Sequence, residues 1–459
     1  MGCGAGTHRC DIVNPTAPAT DTTIICGDWM ISAADEPVRH GWGIAVADAT
    51  VIDIGPRTDL IARYPSADVV DRPGHVVMPG FVDAHSHLYG VLAHGIEVVS
   101  PPTGFDNFLT DFWWPLVEDR LDTNMLAAAA RHSTISAALS GTTTICDICE
   151  APGAVDDALD AIATEVNTVG LRARLSVEAT QRRGADIAAR SLQANSRFIS
   201  SRANGDLVQG MMSWHTTFTC DADYIRTAHD LARSAGAWTH AHCNEGRHEG
   251  AEMYRQQGCS TLEFYDRLGV LDEHLHLSQC VQLVDIDKEL LADRGVAVSH
   301  MPISNCEVGG GIAPIPELHA AGVRIGLGSD GYVTDMYEVM RMAFHVHKAQ
   351  LCDPTVVPAR DVVHMATAGG AAALGLDRVG RLAVGWAADV QVVDMTTPTP
   401  VTEHNIWDQL VVWRSGHHVS DTMVAGRWVV RDRQPTTVDL ADTMAATRRE
   451  AQRLWATSI

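Results

Sequence analysis

His85 and His87 end an apolar run that begins at Val76, and a single residue separates them. Residues two apart in a β-strand share one face, so both imidazoles can bind the same ion. His242 and Asp330 each follow another apolar run much further along the chain. Three neutral imidazoles and one carboxylate suit a zinc- or iron-like divalent ion with a position left for water. The predicted metal ligands are His85, His87, His242 and Asp330.

Glu245 lies three residues after His242, just beyond the end of the same predicted strand. A carboxylic acid at that position could pass a proton to a ring nitrogen of a substrate. A divalent ion lowers the pKa of its bound water to about 7, which provides hydroxide at neutral pH. Asp330 could both bind the ion and take the proton from that water. We therefore predict Glu245 and Asp330 as the catalytic acid and base.

Three further side chains are candidate substrate contacts because they follow predicted strands. His215 ends the fourth strand of the series, His300 ends the seventh, and Trp113 lies in an aromatic-rich segment soon after the first. Packing within the core is an almost equal alternative for His215. Packing of a loop or helix is at least as good an account of Trp113.

The middle of the chain alternates short apolar strands with longer helical stretches, which fits a closed (β/α)8 TIM barrel. A doubly wound open sheet would give a similar alternation. The polar residues favour the barrel, because His87, His242, His300 and Asp330 lie at or just past strand ends, where barrel active sites assemble. The predicted strands are Phe81–His87, Thr142–Ile148, Arg172–Ala179, Leu207–His215, Ala237–Cys243, Leu275–Val281, Val296–His300 and Val323–Ser329.

Both ends of the chain are rich in predicted strands, so we expect them to build one small β-sandwich. The expected strands are Thr23–Ile31, Trp42–Ile54, Val69–Val77, Ala388–Val393, His418–Val424 and Arg427–Val430. A closing amphipathic helix is predicted over Leu440–Trp455. The predicted organisation is a loose extension over 1–20, a sandwich over 21–78 and 385–435, a metal-dependent barrel over 79–384, and a C-terminal helix over 436–459.

The composition of the 459 residues is that of a globular protein, with 46% apolar and 20% charged residues. A formal charge of −23 argues against nucleic acid or an anionic membrane as a partner. Neither a signal sequence nor a membrane-spanning stretch is apparent in the sequence. The eleven cysteines are scattered, as is usual for reduced thiols. We therefore expect a cytoplasmic protein whose partner is a small molecule.

The motifs around these residues resemble those of the amidohydrolase superfamily. The closest branch holds cytosine and guanine deaminases, methylthioadenosine/adenosylhomocysteine deaminases and triazine chlorohydrolases. Within that branch, two segments look most like the putative aminohydrolases linked to selenium metabolism. The matching segments are Pro79–Leu88, His300–Gly311, Gly326–Gly331 and Gly380–Asp389, with Asn107–Trp114 and Asp330–Tyr337 for the closer likeness.

The resemblance implies one metal ion per chain held by the ligands named above, with Glu245 as the proton shuttle. Two-metal relatives commonly use a carbamylated lysine on strand four, and the two lysines here, Lys288 and Lys348, lie off the predicted strands. Zn²⁺ is favoured and Fe²⁺ is also suitable. A homo-oligomer, a dimer or tetramer, is expected by analogy alone.

Two positions depart from the pattern of the family. Gln279 stands where relatives have a strand-six histidine that touches the hydroxide or the product oxygen. We expect Gln279 to contact the substrate, although it cannot carry the positive charge. His276 is three residues away and is expected on the opposite strand face, unless a bulge intervenes. His94 stands where relatives usually have arginine.

The predicted activity is hydrolytic deamination of an amino-substituted N-heterocycle, such as a purine, pyrimidine, pterin or triazine. Such an enzyme acts on C–N bonds other than peptide bonds. Loss of chloride or a substituted amine, or opening of a cyclic amide, would use the same site and stays open as an alternative. A degenerate member that binds a ligand without turnover is a third hypothesis, favoured only by Gln279.

Overall fold

The computed structural model describes residues 22–98, 101–203, 205–331 and 333–456. The loose extension predicted over residues 1–20 lies outside the described residues. Within the described ranges, no helix has the length and apolar character needed to cross a membrane.

Strands from both ends of the chain come together as predicted, and the β-sandwich domain that they build contains one continuous nine-stranded sheet. Its order is β18-β17-β16-β15-β5-β1-β3-β4, and β2 pairs with β1. Strand β5 joins the two ends, because it runs parallel to β1 and antiparallel to β15. The strands are β1 Thr22–Met30, β2 Arg39–His40, β3 Trp42–Ala47, β4 Thr50–Pro56, β5 Asp68–Pro79, β15 Val390–Asp394, β16 Val419–Val424, β17 Arg427–Arg431 and β18 Gln434–Pro435.

The predicted strand Trp42–Ile54 is a hairpin rather than one strand. Asp48 takes a left-handed φ of 51°, which turns the chain between β3 and β4. Asp tolerates that conformation better than most residues, so the turn does not need a glycine at this position.

The middle of the chain forms the predicted barrel from parallel strands. They are β6 Phe81–Ser86, β7 Thr142–Cys149, β8 Arg172–Val177, β9 Val208–Gly210, β10 Met212–Trp214, β11 Thr239–Cys243, β12 Leu275–Gln279, β13 Ala297–His300 and β14 Arg324–Leu327. Two groups, β6 to β9 and β10 to β14, meet through the bridges Ala179–Trp214 and Ser86–Asp330. The ring is therefore closed, which rules out the open-sheet alternative.

The fourth predicted strand is split at Met211. The amide of Met211 donates to the carbonyl of Leu175 on β8, and the next amide donates to the carbonyl of Trp238 before β11. Consecutive amides thus bond to opposite neighbours, so β9 and β10 together occupy one position in the barrel.

Helices lie between the strands; most of them pack around the barrel, whereas α1 packs against β1, β3 and β4 of the nine-stranded sheet. They are α1 Arg57–Arg63, α2 Phe105–Asn107, α3 Trp114–Leu116, α4 Thr123–Leu139, α5 Ala158–Val169, α6 Ala185–Ser200, α7 Ala222–Ala235, α8 Arg247–Gln257, α9 Thr261–Leu268, α10 Asp285–Asp293, α11 Pro302–Glu307, α12 Ile315–Ala320, α13 Met336–Leu351, α14 Ala359–His364, α15 Gly370–Ala373, α16 Ile406–Trp413 and α17 Leu440–Ala456. Short 3₁₀ turns run over Leu88–Ala93, Glu118–Arg120 and Gly416–His418, and π turns over Phe108–Trp113 and Met365–Gly369.

Helix α17 forms over almost the predicted residues, but its predicted apolar face is only partly correct. Leu440 and Met444 are 40% and 48% exposed, whereas Thr443 and Leu454 are buried. The hydroxyl of Thr447 donates to the carbonyl of Ala128 on α4. The helix therefore packs through Thr443, Thr447 and Leu454 together with Ala451 and Trp455, the two predicted face residues that do contact the core.

Candidate active site and metal centre

The four predicted metal ligands meet at the carboxyl-terminal mouth of the barrel. His85 lies on β6, His242 lies on β11, and Asp330 follows β14 by three residues. The ring of His85 lies 4.9 Å from the ring of His87 and 4.9 Å from that of His242, centroid to centroid. Nε2 of His87 lies 3.6 Å from Oδ1 of Asp330. Side chains far apart in the sequence thus face one point.

The donor atoms fit a single divalent ion. One ring nitrogen from each of the three histidines lies within 4.8 Å of the others. Both ring nitrogens of His85 are buried without a hydrogen-bond partner, an arrangement that is costly unless something binds them. Nδ1 of His87 bonds to the carbonyl oxygen of Ile148 at 2.6 Å, which leaves Nε2 as a free electron-pair donor. Burial also lowers the pKa of His85 well below its usual value, so the imidazole is neutral as a metal ligand must be.

Glu178, one residue past β8, lies against the third histidine ligand. Its Oε1 atom is 2.6 Å from Nδ1 of His242, and both residues are buried. The contact lacks the alignment of a hydrogen bond, so we treat it as an electrostatic pairing. Although burial favours the neutral carboxyl, the ring of His242 lowers the pKa of Glu178. The pairing leaves Nε2 of His242 available to the ion.

Glu245 enters the pocket because the chain turns sharply after β11. Asn244 has a left-handed φ of 50°, and its backbone N–H donates to a carboxylate oxygen of Glu249 at 2.5 Å. Glu249 also accepts from the hydroxyl of Thr217 at 2.6 Å, so it ties this turn to the loop after β10. The surroundings of Glu245 raise its pKa to about 8, first through burial and then through the carboxylate of Asp330. A protonated Glu245 can therefore donate a proton at neutral pH.

Asp330 is held in place by two hydrogen bonds. The amide nitrogen of Gln279 donates to Oδ2 at 2.8 Å, and the backbone N–H of Gly331 donates to Oδ1 at 2.8 Å. Gln279 in turn accepts from the side-chain amide of Asn305. Gln279 and Asp330 both have positive φ, at 74° and 60°, and such strain is typical of functional sites.

The positive φ of Gln279 also explains why His276 does not take its place. That conformation turns Gln279 toward the mouth of the barrel, where it lines the pocket. His276 lies deeper, with its ring 5.3 Å from that of His240 and a hydrogen bond to the hydroxyl of Ser299.

An aromatic wall encloses the pocket above these groups. The predicted contact Trp113 belongs to it, and its ring stacks at 5.5 Å on the ring of Phe108. The predicted contact His215 also lines the pocket, with Nδ1 2.8 Å from the hydroxyl of Thr219. The aromatic lining residues are Phe105, Phe108, Trp113, Trp114 and Phe218.

His300 is the predicted site residue that the structure places elsewhere. Side chains alternate along β13, and the hydroxyl of Ser299 donates to the carbonyl of Ala84 on the inner side of the barrel. His300 therefore points outward, and its Nε2 lies 3.1 Å from Nε2 of His347 on α13. The prediction of a substrate contact at His300 was wrong, because the end of a strand does not determine which face a side chain takes.

Sequence reasoning missed three residues beside the pocket. Glu178 and Glu118 line it, and Arg182 lies behind Glu118 with its guanidinium 3.2 Å from that carboxylate. For Glu178 a signal was present, since an acidic residue ends a strand whose neighbours also end in functional groups. Glu118 and Arg182 lie in loops and carry no comparable spacing.

Comparison with known proteins identifies the relatives of this chain. The model described as the amidohydrolase family matches residues 76–429. A 5-methylthioadenosine/S-adenosylhomocysteine deaminase of Pelotomaculum thermopropionicum is 32% identical, over 90% of this chain and 93% of the relative. A 5'-deoxyadenosine deaminase of Methanothermobacter thermautotrophicus is 30% identical, over 90% of this chain and 94% of the relative.

Solved structures show the same fold. An adenosine deaminase of Xanthomonas campestris with bound zinc superposes with a TM-score of 0.87 at 24% identity, covering 95% of this chain and 99% of that one. An atrazine chlorohydrolase of Arthrobacter aurescens complexed with zinc superposes with a TM-score of 0.82 at 20% identity. The superposition covers 94% of this chain and 100% of that one.

Proposed function

Because this chain belongs to the amidohydrolase family, we propose that it is a deaminase of amino-substituted N-heterocycles of the adenosine type. Water would replace the exocyclic amino group, so that the ring C–NH₂ becomes C=O and ammonia leaves. The observation that carries the proposal is the convergence of three histidines, Asp330 and Glu245 at the floor of one aromatic pocket. The deaminase names of relatives that match 90% of the chain support the same reaction.

The metal would be held by His85, His87, His242 and Asp330. A bound divalent ion polarises the reacting centre and lowers the pKa of a water molecule beside it. We propose Zn²⁺ as the native ion, since the donor set suits it and two structural neighbours contain zinc. Fe²⁺ would fit the same donors.

Two carboxyl groups would move the protons of the reaction. Glu245 would donate its proton to the ring nitrogen next to the carbon that bears the amino group, which makes that carbon more electrophilic. Asp330 would accept a proton from the attacking water, and Gln279 and the Gly331 amide keep its carboxylate oriented. Asp330 would then pass that proton to the departing amino group, and Glu245 would take a proton from the added hydroxyl as the C=O bond forms. Ammonia therefore leaves as a neutral molecule, and both carboxyl groups return to their starting states.

Three side chains of the pocket wall would contact the heterocycle. Trp113 offers an aromatic face. His215, beside His242, and Gln279, beside Asp330, offer polar groups. We also propose that the protein is a homo-oligomer, on the analogy described above, and that it is cytoplasmic, on its composition. Light scattering after size-exclusion chromatography measures the oligomeric state directly.

A second candidate is hydrolytic loss of a different leaving group, such as chloride or a substituted amine. Gln279 favours it, because an amide cannot supply the positive charge of the histidine found in related deaminases. The pocket, the ligands and the proton carriers would be the same.

Product analysis on the zinc-loaded enzyme tests the proposal. Purines, pyrimidines, pterins and triazines are offered singly, and released ammonia, chloride and alkylamine are measured against the oxygenated ring product. We expect ammonia in equal amount to the product from adenosine derivatives. Chloride or alkylamine release from triazines without ammonia from any amine would establish the second candidate instead. No product from any compound would favour the degenerate, non-catalytic alternative.

A further inference from the structure

Apart from its histidines, the ionisable side chains that line the pocket are all acidic. Five carboxylates face it, whereas no lysine or arginine occurs among the described lining residues. These carboxylates belong to Glu118, Glu178, Glu245, Glu249 and Asp330. An anionic substituent in this pocket would therefore meet acidic side chains and find no lysine or arginine to pair with among the described lining residues.

The nearest arginine, Arg182, is already paired with acidic side chains of the protein. Arg182 pairs with Glu118 at 3.2 Å, with Asp119 at 2.8 Å and with Glu150. Its guanidinium also stacks over the ring of Trp114 at 4.8 Å, and its side chain is 9% exposed. Three carboxyl groups and an indole ring therefore already occupy this guanidinium.

An outer chamber continues the pocket toward solvent and is also lined by acidic side chains. Leu109, Trp114, Phe218 and His248 line both spaces, so a long substrate would pass from one into the other. Its basic groups are again Arg182, together with His248, whose Nδ1 lies 3.5 Å from Asp106. The acidic residues that line the chamber are Asp106, Asp221 and Glu252.

The aromatic wall complements this charge pattern. The faces of Trp113, Trp114 and Phe218 carry negative electrostatic potential, so they attract cations and accept neutral rings. Neither wall nor chamber offers a free donor of the kind that binds carboxylate or phosphate bidentately.

We infer that this site selects neutral or positively charged amino heterocycles and rejects those that carry a carboxylate or phosphate. The inference rests on the proposed function and narrows its substrate class. Of the two compounds in the name of the Pelotomaculum relative, methylthioadenosine is uncharged, whereas S-adenosylhomocysteine is a zwitterion. Its carboxylate would find no unpaired lysine or arginine among the described residues that line the two spaces. This chain would therefore favour the first.

Matched substrate pairs test the inference with the zinc-loaded enzyme. We expect kcat/KM for methylthioadenosine to exceed that for S-adenosylhomocysteine by about 100-fold, and adenosine to exceed adenosine monophosphate by at least as much. Ratios within a few-fold of one would overturn the inference and leave the deaminase proposal standing.

Binding separates failure of the inference from failure of the proposed function. The zinc-loaded Glu245→Gln variant is heated with each member of the two pairs, and the midpoint of unfolding is recorded. If the wild type deaminates none of the four, but the uncharged members alone raise this midpoint, the proposed reaction fails and the inference holds. Equal shifts within each pair, or none with any compound, would overturn the inference.

A charge reversal in the outer chamber tests the cause of the selectivity. Glu252 lines the outer chamber from α8, and its side chain is 22% exposed and paired with Arg255 on the same helix. Both Glu252→Arg and Glu252→Gln lose this pair, so comparing them isolates the added positive charge. We expect Glu252→Arg to raise the S-adenosylhomocysteine to methylthioadenosine ratio of kcat/KM by about 10-fold. Glu252→Gln is the matched control and should raise it less. Equal ratios in wild type and Glu252→Arg would overturn the role given to the outer carboxylates.

Discussion

Glu245 can be separated from the metal centre, because it lines the pocket without belonging to the cluster of nitrogen donors. We predict that Glu245→Gln keeps the bound ion and lowers kcat by about 1,000-fold, since the amide cannot donate an acidic proton. Metal content by inductively coupled plasma mass spectrometry and initial rates of ammonia release measure the two effects. Glu307→Gln, at an exposed position, is the control. A variant that retained the full rate would contradict the shuttle role.

Glu178 belongs to a different class of residue, because it would act through His242 rather than on the substrate. Its carboxylate faces Nδ1 of that histidine at 2.6 Å. We predict that Glu178→Gln weakens metal affinity by about 10- to 100-fold, as expected when the partner of a ligating imidazole is lost. Chelator competition measures the affinity, and the unfolding midpoint of the metal-free protein serves as the control for packing. Unchanged affinity would show that the contact does not orient the ligand.

At the scale of elements, the strand ends bring the site together through backbone that propensities do not describe. Asn244, Gln279 and Asp330 follow or end β11, β12 and the region after β14, and all three have positive φ. Gln279 and Asp330, which regular alternation would direct away from the pocket, are thereby turned into it, and the turn at Asn244 brings the next residue, Glu245, to the pocket wall. These backbone conformations are strained, and the hydrogen bonds of Glu249 and Asp330 offset that strain.

The close approach of β6 and the segment after β14 leads to a prediction about Gly328. A β-carbon at Gly328 would lie 2.8 Å from the carbonyl oxygen and 3.0 Å from the β-carbon of His85. We predict that Gly328→Ala displaces this ligand, lowers metal affinity and destabilises the fold by about 1–3 kcal/mol. Thermal unfolding and chelator competition measure both. Gly104→Ala is the matched control, since nothing lies within 4 Å there. Equal behaviour of the two variants would contradict the proposed tight contact.

These elements also show how far the sequence could be read. Apolar runs with polar ends predicted the barrel. They also predicted that His85, His242 and Asp330 lie at the same mouth, because the carboxyl ends of parallel strands share that edge. The orientation of His300 was misjudged, since it depends on which face of β13 turns inward. Glu118 and Arg182 were missed because loops place them by packing alone. The split of the fourth strand at Met211 has no periodic signal either.

At the scale of the whole molecule, the metal site and the β-sandwich are parts of one continuous strand system. Strand β5 of the sandwich ends at Pro79, and β6, which carries His85, begins two residues later. Arg172 on β8 also pairs with Asp389 beside β15 at 3.1 Å. We therefore expect a disturbance at the proposed metal ligands to affect both parts of the chain.

This connection predicts that one ion per chain stabilises the entire protein. An ion that binds only the folded state adds about 2.7 kcal/mol when its free concentration is 100 times its Kd. We expect the unfolding midpoint to fall by several degrees on chelation and to recover when one equivalent of Zn²⁺ returns. Calorimetry combined with metal analysis measures both quantities. The His85→Ala variant is the control, because loss of a ligand should abolish the response to chelator. Two ions per chain, or an unchanged midpoint after verified metal removal, would contradict a single centre that joins barrel and sandwich.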